Sequence, residues 1–235
     1  MQTDILANED AVAQAAARFI AAQSTVAIAA RGRFKFAVSG GRTPWQMLRA
    51  LASENVDWTN VHLFQVDERV APPGDPDRNL THIRESLLAH VSLPPDNVHA
   101  MPVEATDLVA AAARYAQTLA TFAGTPPVLD LVHLGLGPDG HTASLVPNDP
   151  VLNEDFLQVS LTQPYQDHRR MTLTYPVLNR ARCVMFVVTG AEKVKALAAL
   201  RAGDRTIPAG RITGERALIV ADAAAAGLHD YKGPQ

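Results

Sequence analysis

The chain has 235 residues, and its 21 Lys plus Arg against 24 Asp plus Glu give a formal net charge of −3. A composition 47% hydrophobic and 19% charged is that of a globular chain and excludes a disordered one; at this length about 70% of the unfolded surface can be buried. The slight acidic excess offers no general attraction for nucleic acid or anionic membrane, and a single cysteine, Cys183, excludes a disulfide framework and a cysteine-built zinc site.

Asp4, Glu9 and Asp10 stand where an export signal would carry positive charge and then an apolar core. No run of roughly 18 apolar residues, the length needed to span a bilayer, is read in the sequence. The expectation is a soluble, cytoplasmic protein. Residues 8–30 are Ala-rich, with Val12, Phe19 and Ile20 among small residues, which predicts an amphipathic helix capped by Asn8 or Asp10. Phe34–Val38 is the first expected strand. It runs into Ser39-Gly40-Gly41-Arg42-Thr43 and a helix from Pro44 to Leu51, where Pro44 suits the first turn and Trp45, Met47 and Leu48 are expected to face the core. Val61–Val66 is a second strand, ending at Asp67-Glu68-Arg69; a loop over Val70–Asp77 leads to a helix near Asn79–His90. A helix over Thr106–Phe122 precedes a strand over Val128–Leu134, which opens into Gly135-Leu-Gly-Pro-Asp-Gly-His-Thr142. Arg170–Thr174 and Val184–Val188 read as strands, Glu192–Arg201 as a helix and Ala217–Val220 as a last strand. Cys183 opens an apolar run and is expected to be a buried thiol. Strands alternating with helices imply an α/β fold, with a mostly parallel sheet between two helical layers and a single domain over residues 1–235.

Three loops then leave the carboxyl ends of strands: Ser39–Thr43, Asp67–Arg69 and Gly135–Thr142. In an open α/β sheet the ligand crevice lies outside those ends, so loops far apart in sequence are expected to converge. The glycine pair Gly40-Gly41, followed by a helix N-terminus, suits a phosphate, and equally suits a plain strand-to-helix turn. It matches neither a Walker loop nor a G-x-G-x-x-G fingerprint. His141, flanked by Gly140, has an accessible ring of suitable basicity for a general base, and Asp139 stands close enough to orient it. A capping Asp and a surface His would account for the same two residues singly. Asp67 and Arg69 fit contacts to hydroxyls and an anion, or simple solvation; Arg170 and Lys193 are further cations near strand ends. The other histidines (His62, His82, His90, His99, His133, His168 and His229) show no metal-ligand spacing.

VSGGRTP (Val38–Pro44), VDER (Val66–Arg69) and LGLGPDGHTASLVP (Leu134–Pro147) resemble the 6-phosphogluconolactonase family, with RMTLT (Arg170–Thr174) and TGAEK (Thr189–Lys193) in the same order. The resemblance implies the three-layer α/β/α fold of glucosamine-6-phosphate deaminase, hydrolysis of a sugar-phosphate lactone, and no metal or nucleotide cofactor. It also implies His141 as base beside Asp139, with Gly140 among the substrate-binding residues. Gly40, Gly41, Arg42 and Thr43 would line the phosphate end, with Lys193 and Arg170 as cationic partners; Asp67 and Arg69 would face the sugar acid. Backbone N–H groups of the Gly-rich loop are the expected oxyanion donors. Arg42 and Arg78 stand where serine is more usual. A deaminase would carry Glu five residues after the histidine, where this chain has Val146. A non-catalytic sugar-phosphate sensor would need a DNA-binding segment, for which a first strand near Phe34 leaves little room.

Overall fold

The computed structural model describes residues 1–214 and 216–228; His229 lies outside them. A seven-stranded parallel sheet forms the centre, in the order β1 (Gln2–Leu6), β10 (Ala217–Asp222), β9 (Val184–Val188), β6 (Leu131–Leu134), β2 (Phe34–Val38), β3 (Val61–Gln65) and β5 (Val98–His99). From β2 the chain steps outward through β3 to β5. It then returns to the other side of β2 with β6 and steps outward again through β9 to β10. The order therefore reverses between β2 and β6, and a crevice opens beyond the carboxyl ends of those two strands.

Alternate residues of the strands feed two separate cores, as expected of a sheet covered on both faces. Phe34, Phe36, Val38, Leu63, Met185, Val187 and Val220 pack toward α1 (Glu9–Arg31) and α2 (Arg42–Leu51). Ala37, Phe64, Val132, Leu134, Phe186 and Ile219 pack toward the opposite layer, with α4 (Leu108–Ala123), α5 (Tyr175–Arg180) and α6 (Val194–Arg201). Helix α1 starts where the Asn8 side chain accepts the Ala11 N–H and ends at Gly32, with φ 73°, whose N–H reaches the Ile28 carbonyl. Its buried positions, Val12, Ala16, Ile20 and Ala27 among them, recur at helical spacing. Against the expectation, α1 is long and apolar enough by length and composition to cross a membrane; 44% of that stretch is buried inside the fold.

The structure corrects several expected elements. Phe34–Val38 is not the first strand: β1 precedes it, a short edge strand with a half-exposed sequence whose only signal is its pairing with β10 across the whole chain. Asp67–Arg69 is not a loop. It is a strand, β4, antiparallel to β8 (Arg170–Leu173), which also pairs with β7 (Val159–Leu161). Arg170–Thr174 thus belongs to a small second sheet, outside the parallel one. The strand expected over Val128–Leu134 begins only at Leu131, after Asp130 has turned its carboxylate to the Arg31 guanidinium and the Lys35 N–H. The helix from Asn79 is α-helical only to Ile83 (α3) and widens into π turns over Arg84–Leu88. The helix expected from Glu192 opens as a tight turn over Ala191–Lys193 before α6. Met47 and Leu48 are buried as expected, but Trp45 is only half-buried and stacks on His82 with ring centroids 5.0 Å apart. Cys183 is buried, and burial raises its thiol pKa.

Candidate active site

The reversal between β2 and β6 makes a cavity of about 460 Å³ that is lined by all three loops singled out from the sequence. Gly40 marks how tightly they converge. A Cβ on it would sit 1.8 Å from Oδ1 of Asn79, at the start of α3, so only glycine lets these two segments touch. Asn79 in turn donates through Nδ2 to the Asp67 carbonyl at 2.9 Å, which leaves its buried Oδ1 without a donor.

His141 and Asp139 form a pair. The imidazole Nδ1 lies 2.6 Å from Asp139 Oδ1, which also accepts the His141 backbone N–H at 3.1 Å. A proton shared on that side leaves Nε2 as the free lone pair, in a side chain 21% exposed at the cavity wall. Burial pushes the Asp139 carboxyl pKa up, but hydrogen bonds from His141 and the attraction of its ring outweigh this, and the net shift is downward. The ring lies against Gly137, where a Cβ would come within 2.1 Å of Nδ1. Gly137 is therefore a requirement of the pair. Gly140 differs from expectation: it does not line the cavity. It holds the turn at φ +82°, with Ile207 so close that a Cβ would stand 2.5 Å from it. The loop's N–H groups are also largely engaged. Gly137 donates to the His141 carbonyl, Gly140 to Gly137 and Thr142 to Leu145, so these three are already engaged.

Asp67 is buried at the cavity floor, with both carboxylate oxygens occupied. Oδ1 accepts from Ser39 Oγ at 3.0 Å and Oδ2 from Ser144 Oγ at 2.6 Å. It clasps the β2 exit to the Gly-rich loop, and it engages the hydroxyl of Ser144, which is fully buried. Its neighbour Glu68 points the other way. It accepts the N–H groups of Arg69, Asn79 and Leu80 and the Gln65 amide, and lies 3.2 Å from Arg78 Nε. Arg78 also reaches Glu104 at 2.7 Å and the Ala71 carbonyl at 3.0 Å. This arginine fastens the Val70–Asp77 loop. Arg69 and Arg170 both line the cavity, each with a buried Nε–H that has no acceptor among the described residues. Burial and the nearby Arg69 charge lower the Arg170 pKa.

On the cavity wall formed by residues 41–44, α2 begins after its N-cap Gly41, φ 129°, and the first N–H groups of a helix have no intrahelical acceptors. Thr43 Oγ1 lies 2.6 Å from Thr189 Oγ1 and donates to Glu9 at 3.1 Å. Lys193 lines the same wall, its ammonium 3.7 Å from Glu192. Arg42 is at the mouth, 87% exposed, its Nε 3.9 Å from Glu9. Among the described residues, no group of three His, Cys, Asp or Glu converges to hold a metal ion.

The profile of the family described as glucosamine-6-phosphate isomerases/6-phosphogluconolactonase matches residues 7–220. The chain belongs to this family. It is 40% identical over 200 residues to a 6-phosphogluconolactonase of Synechocystis, covering 83% of each chain, and 37% identical over 211 residues to one of Mycobacterium tuberculosis, covering 85% of each. Among solved structures, a 6-phosphogluconolactonase of Thermotoga maritima superposes with a TM-score of 0.84 at 27% identity, covering 94% of this chain and 99% of the other. A monomeric glucosamine-6-phosphate deaminase superposes at 0.85 with 18% identity, over 97% of this chain and all of that one, a likeness of fold. Both branches of the family thus share the α/β/α architecture, and the side chains must distinguish them. Val146, where the sequence resemblance would place the deaminase-type Glu, is buried.

Of the residues expected from sequence, nine line the cavity (Gly40, Gly41, Arg42, Thr43, Asp67, Arg69, His141, Arg170 and Lys193), and Asp139 is bound to one of them. Sequence reasoning missed Asn79, Gly137, Ser39 and Tyr165. The first three carried a signal in hindsight, since each flanks or lies within a motif already singled out. Tyr165 carried none, because it reaches the site from a hairpin that the sequence does not announce.

Proposed function

We propose that this chain is a 6-phosphogluconolactonase: a cytoplasmic, single-domain carboxylic ester hydrolase that opens 6-phosphoglucono-1,5-lactone to 6-phosphogluconate, using His141 as base and then acid. The observation that carries the reading is the Asp139–His141 pair, 2.6 Å apart, with His141 lining a cavity that also takes in the α2 N-terminus and Lys193. A phosphate held by the N–H groups after Gly40 and by Lys193 fixes the far end of the substrate, which removes part of the entropic barrier at the carbonyl. Nε2 of His141 takes a proton from water as the water oxygen bonds to the lactone carbon. The ring C–O bond then breaks, and the imidazolium returns that proton to the departing alkoxide. Asp139 holds the ring in the required tautomer and stabilises its cationic form. The oxyanion draws on the Arg69 and Arg170 guanidiniums, whose Nε–H groups lack acceptors. The chemistry needs no metal, nucleotide cofactor or covalent intermediate.

The test is a lactonase assay on freshly generated 6-phosphogluconolactone, with spontaneous hydrolysis subtracted and glucosamine 6-phosphate run in parallel. Turnover of the lactone alone is expected. Release of ammonia from the amino sugar, with no acceleration of lactone opening, would reverse the assignment.

A further inference from the structure

The geometry points to Tyr165 as the positioning residue that ties the Asp139–His141 pair to Arg170, so that the base and an anion-binding guanidinium are set by one side chain. Three contacts meet on it. Its hydroxyl donates to Asp139 Oδ2 at 3.3 Å, the carboxylate oxygen that His141 does not use. Its ring stands edge-on to the His141 imidazole, with centroids 5.6 Å apart at 69°. Its face lies under the Arg170 guanidinium, 5.0 Å from centroid to Cζ, within cation–π range. Arg170 Nη2 also donates to Gln166 Oε1 at 3.2 Å, so one hairpin tip holds both ends of this chain of contacts.

The hairpin is built for placement. Gln166 and Asp167 both have positive φ, 48° and 64°, between paired Tyr165 and His168. These are the two central positions of a primed turn, which glycine or asparagine usually fill. Conformational strain of this kind persists only where the surroundings hold it. Here His168 Nε2 lies 3.0 Å from Asp77 Oδ2, while Arg69 Nη1 donates to the Asp77 carbonyl. Tyr165 touches no proposed reacting atom. Its effect passes through the tilt of the His141 ring and through the charge that Asp139 presents to Nδ1.

The kinetic part of the test rests on the lactonase reading; the spectroscopic part does not. In Tyr165→Phe the ring and the cation–π contact remain, and Asp139 Oδ2 loses its donor. More of the carboxylate charge then falls on the imidazolium, so the pH midpoint of the His141 ring, followed by NMR in the full chain, moves upward. The charged groups around it are Asp139 on its own loop and Arg170 across the Tyr ring, the latter backed by Asp67, Arg69 and Asp77, and all are kept. In Tyr165→Leu the ring is lost, and kcat falls by up to about 100-fold, the scale of a displaced catalytic group, while Phe at this position restores it to within about threefold. A His141 midpoint unchanged in Tyr165→Phe overturns the inference, as does a natively folded Tyr165→Leu enzyme that turns over as fast as the Phe variant. Should Tyr165→Leu fail to fold, the Phe titration decides. A wild-type chain without lactonase turnover would refute the lactonase reading alone and leave that titration decisive for Tyr165.

Discussion

At the scale of single residues, the cavity combines groups proposed for chemistry with groups that hold them. His141→Ala is expected to lower kcat by about 10²–10⁴, the range for losing general acid–base catalysis, with KM little changed; steady-state kinetics on the lactone check it, and near wild-type turnover would remove His141 from its role. Lys193→Ala is expected mainly to raise KM, since a cation on the phosphate wall binds ground and transition states alike; an unchanged KM for the phosphorylated substrate would count against that wall. Ser144 is the contrasting case. Its hydroxyl is spent on the buried Asp67 carboxylate, so Ser144→Ala should keep turnover within a few-fold while lowering stability by about 1–3 kcal/mol, the scale for leaving a buried acceptor short of a donor. A collapse of kcat in a natively folded Ser144→Ala protein would instead argue for a serine nucleophile. His141, Asp139 and Lys193 were legible in the sequence because each sits in a dense motif at a strand exit. The clasp role of Asp67 was not, since both of its partners come from other strands.

Among the elements, the decisive unit is the corner where β3 becomes β4 and α3 begins. Glu68 caps α3 with two N–H bonds and meets Arg78 from the loop that precedes the helix. Arg78→Ser is expected to destabilise the fold by about 3 kcal/mol, the low end for breaking a buried ion pair, because Glu68 keeps its four N–H donors; denaturant midpoints at constant slope measure this, and a loss near zero would mean that the guanidinium only fills space. The sequence marked Asp67–Arg69 as a charged stretch after an apolar strand. Its pairing with Arg170–Leu173 was hidden, because two three- to four-residue strands separated by a hundred positions leave no local period to read. The same reason hid β1.

For the whole molecule, the parallel sheet buries titratable groups along with its core. His133 lies in the middle of β6 and burial lowers its pKa to about 3; burial, then the neighbouring His62, lowers His99 to about 4. Both are neutral in the fold, whereas an unfolded histidine takes a proton below about pH 6.5. The folded state then binds fewer protons than the unfolded one, so this stability is fully present above about pH 6.5 and is lost as pH falls toward 4. The loss approaches about 1.4 kcal/mol per pH unit for each group. Urea unfolding at pH 7, 6 and 5 should show it before the carboxylates begin to titrate, and His133→Leu should flatten the slope. An identical slope in that variant would place the acid sensitivity elsewhere.

By itself the sequence determined the kind of sheet, the start and buried stripe of α1, the glycine turns after β2 and β6, and nine of the residues that line the cavity. These follow from periodicity and from the chemistry of short motifs, which act over a few positions. The tertiary structure alone decided that the strand order reverses between β2 and β6, that Asp67 and Glu68 face opposite ways into two different polar networks, and that Tyr165 meets His141 and Arg170. Their decisive contacts, Asp67 with Ser144 and Tyr165 with Asp139 among them, join segments tens of residues apart, and no local pattern carries that information.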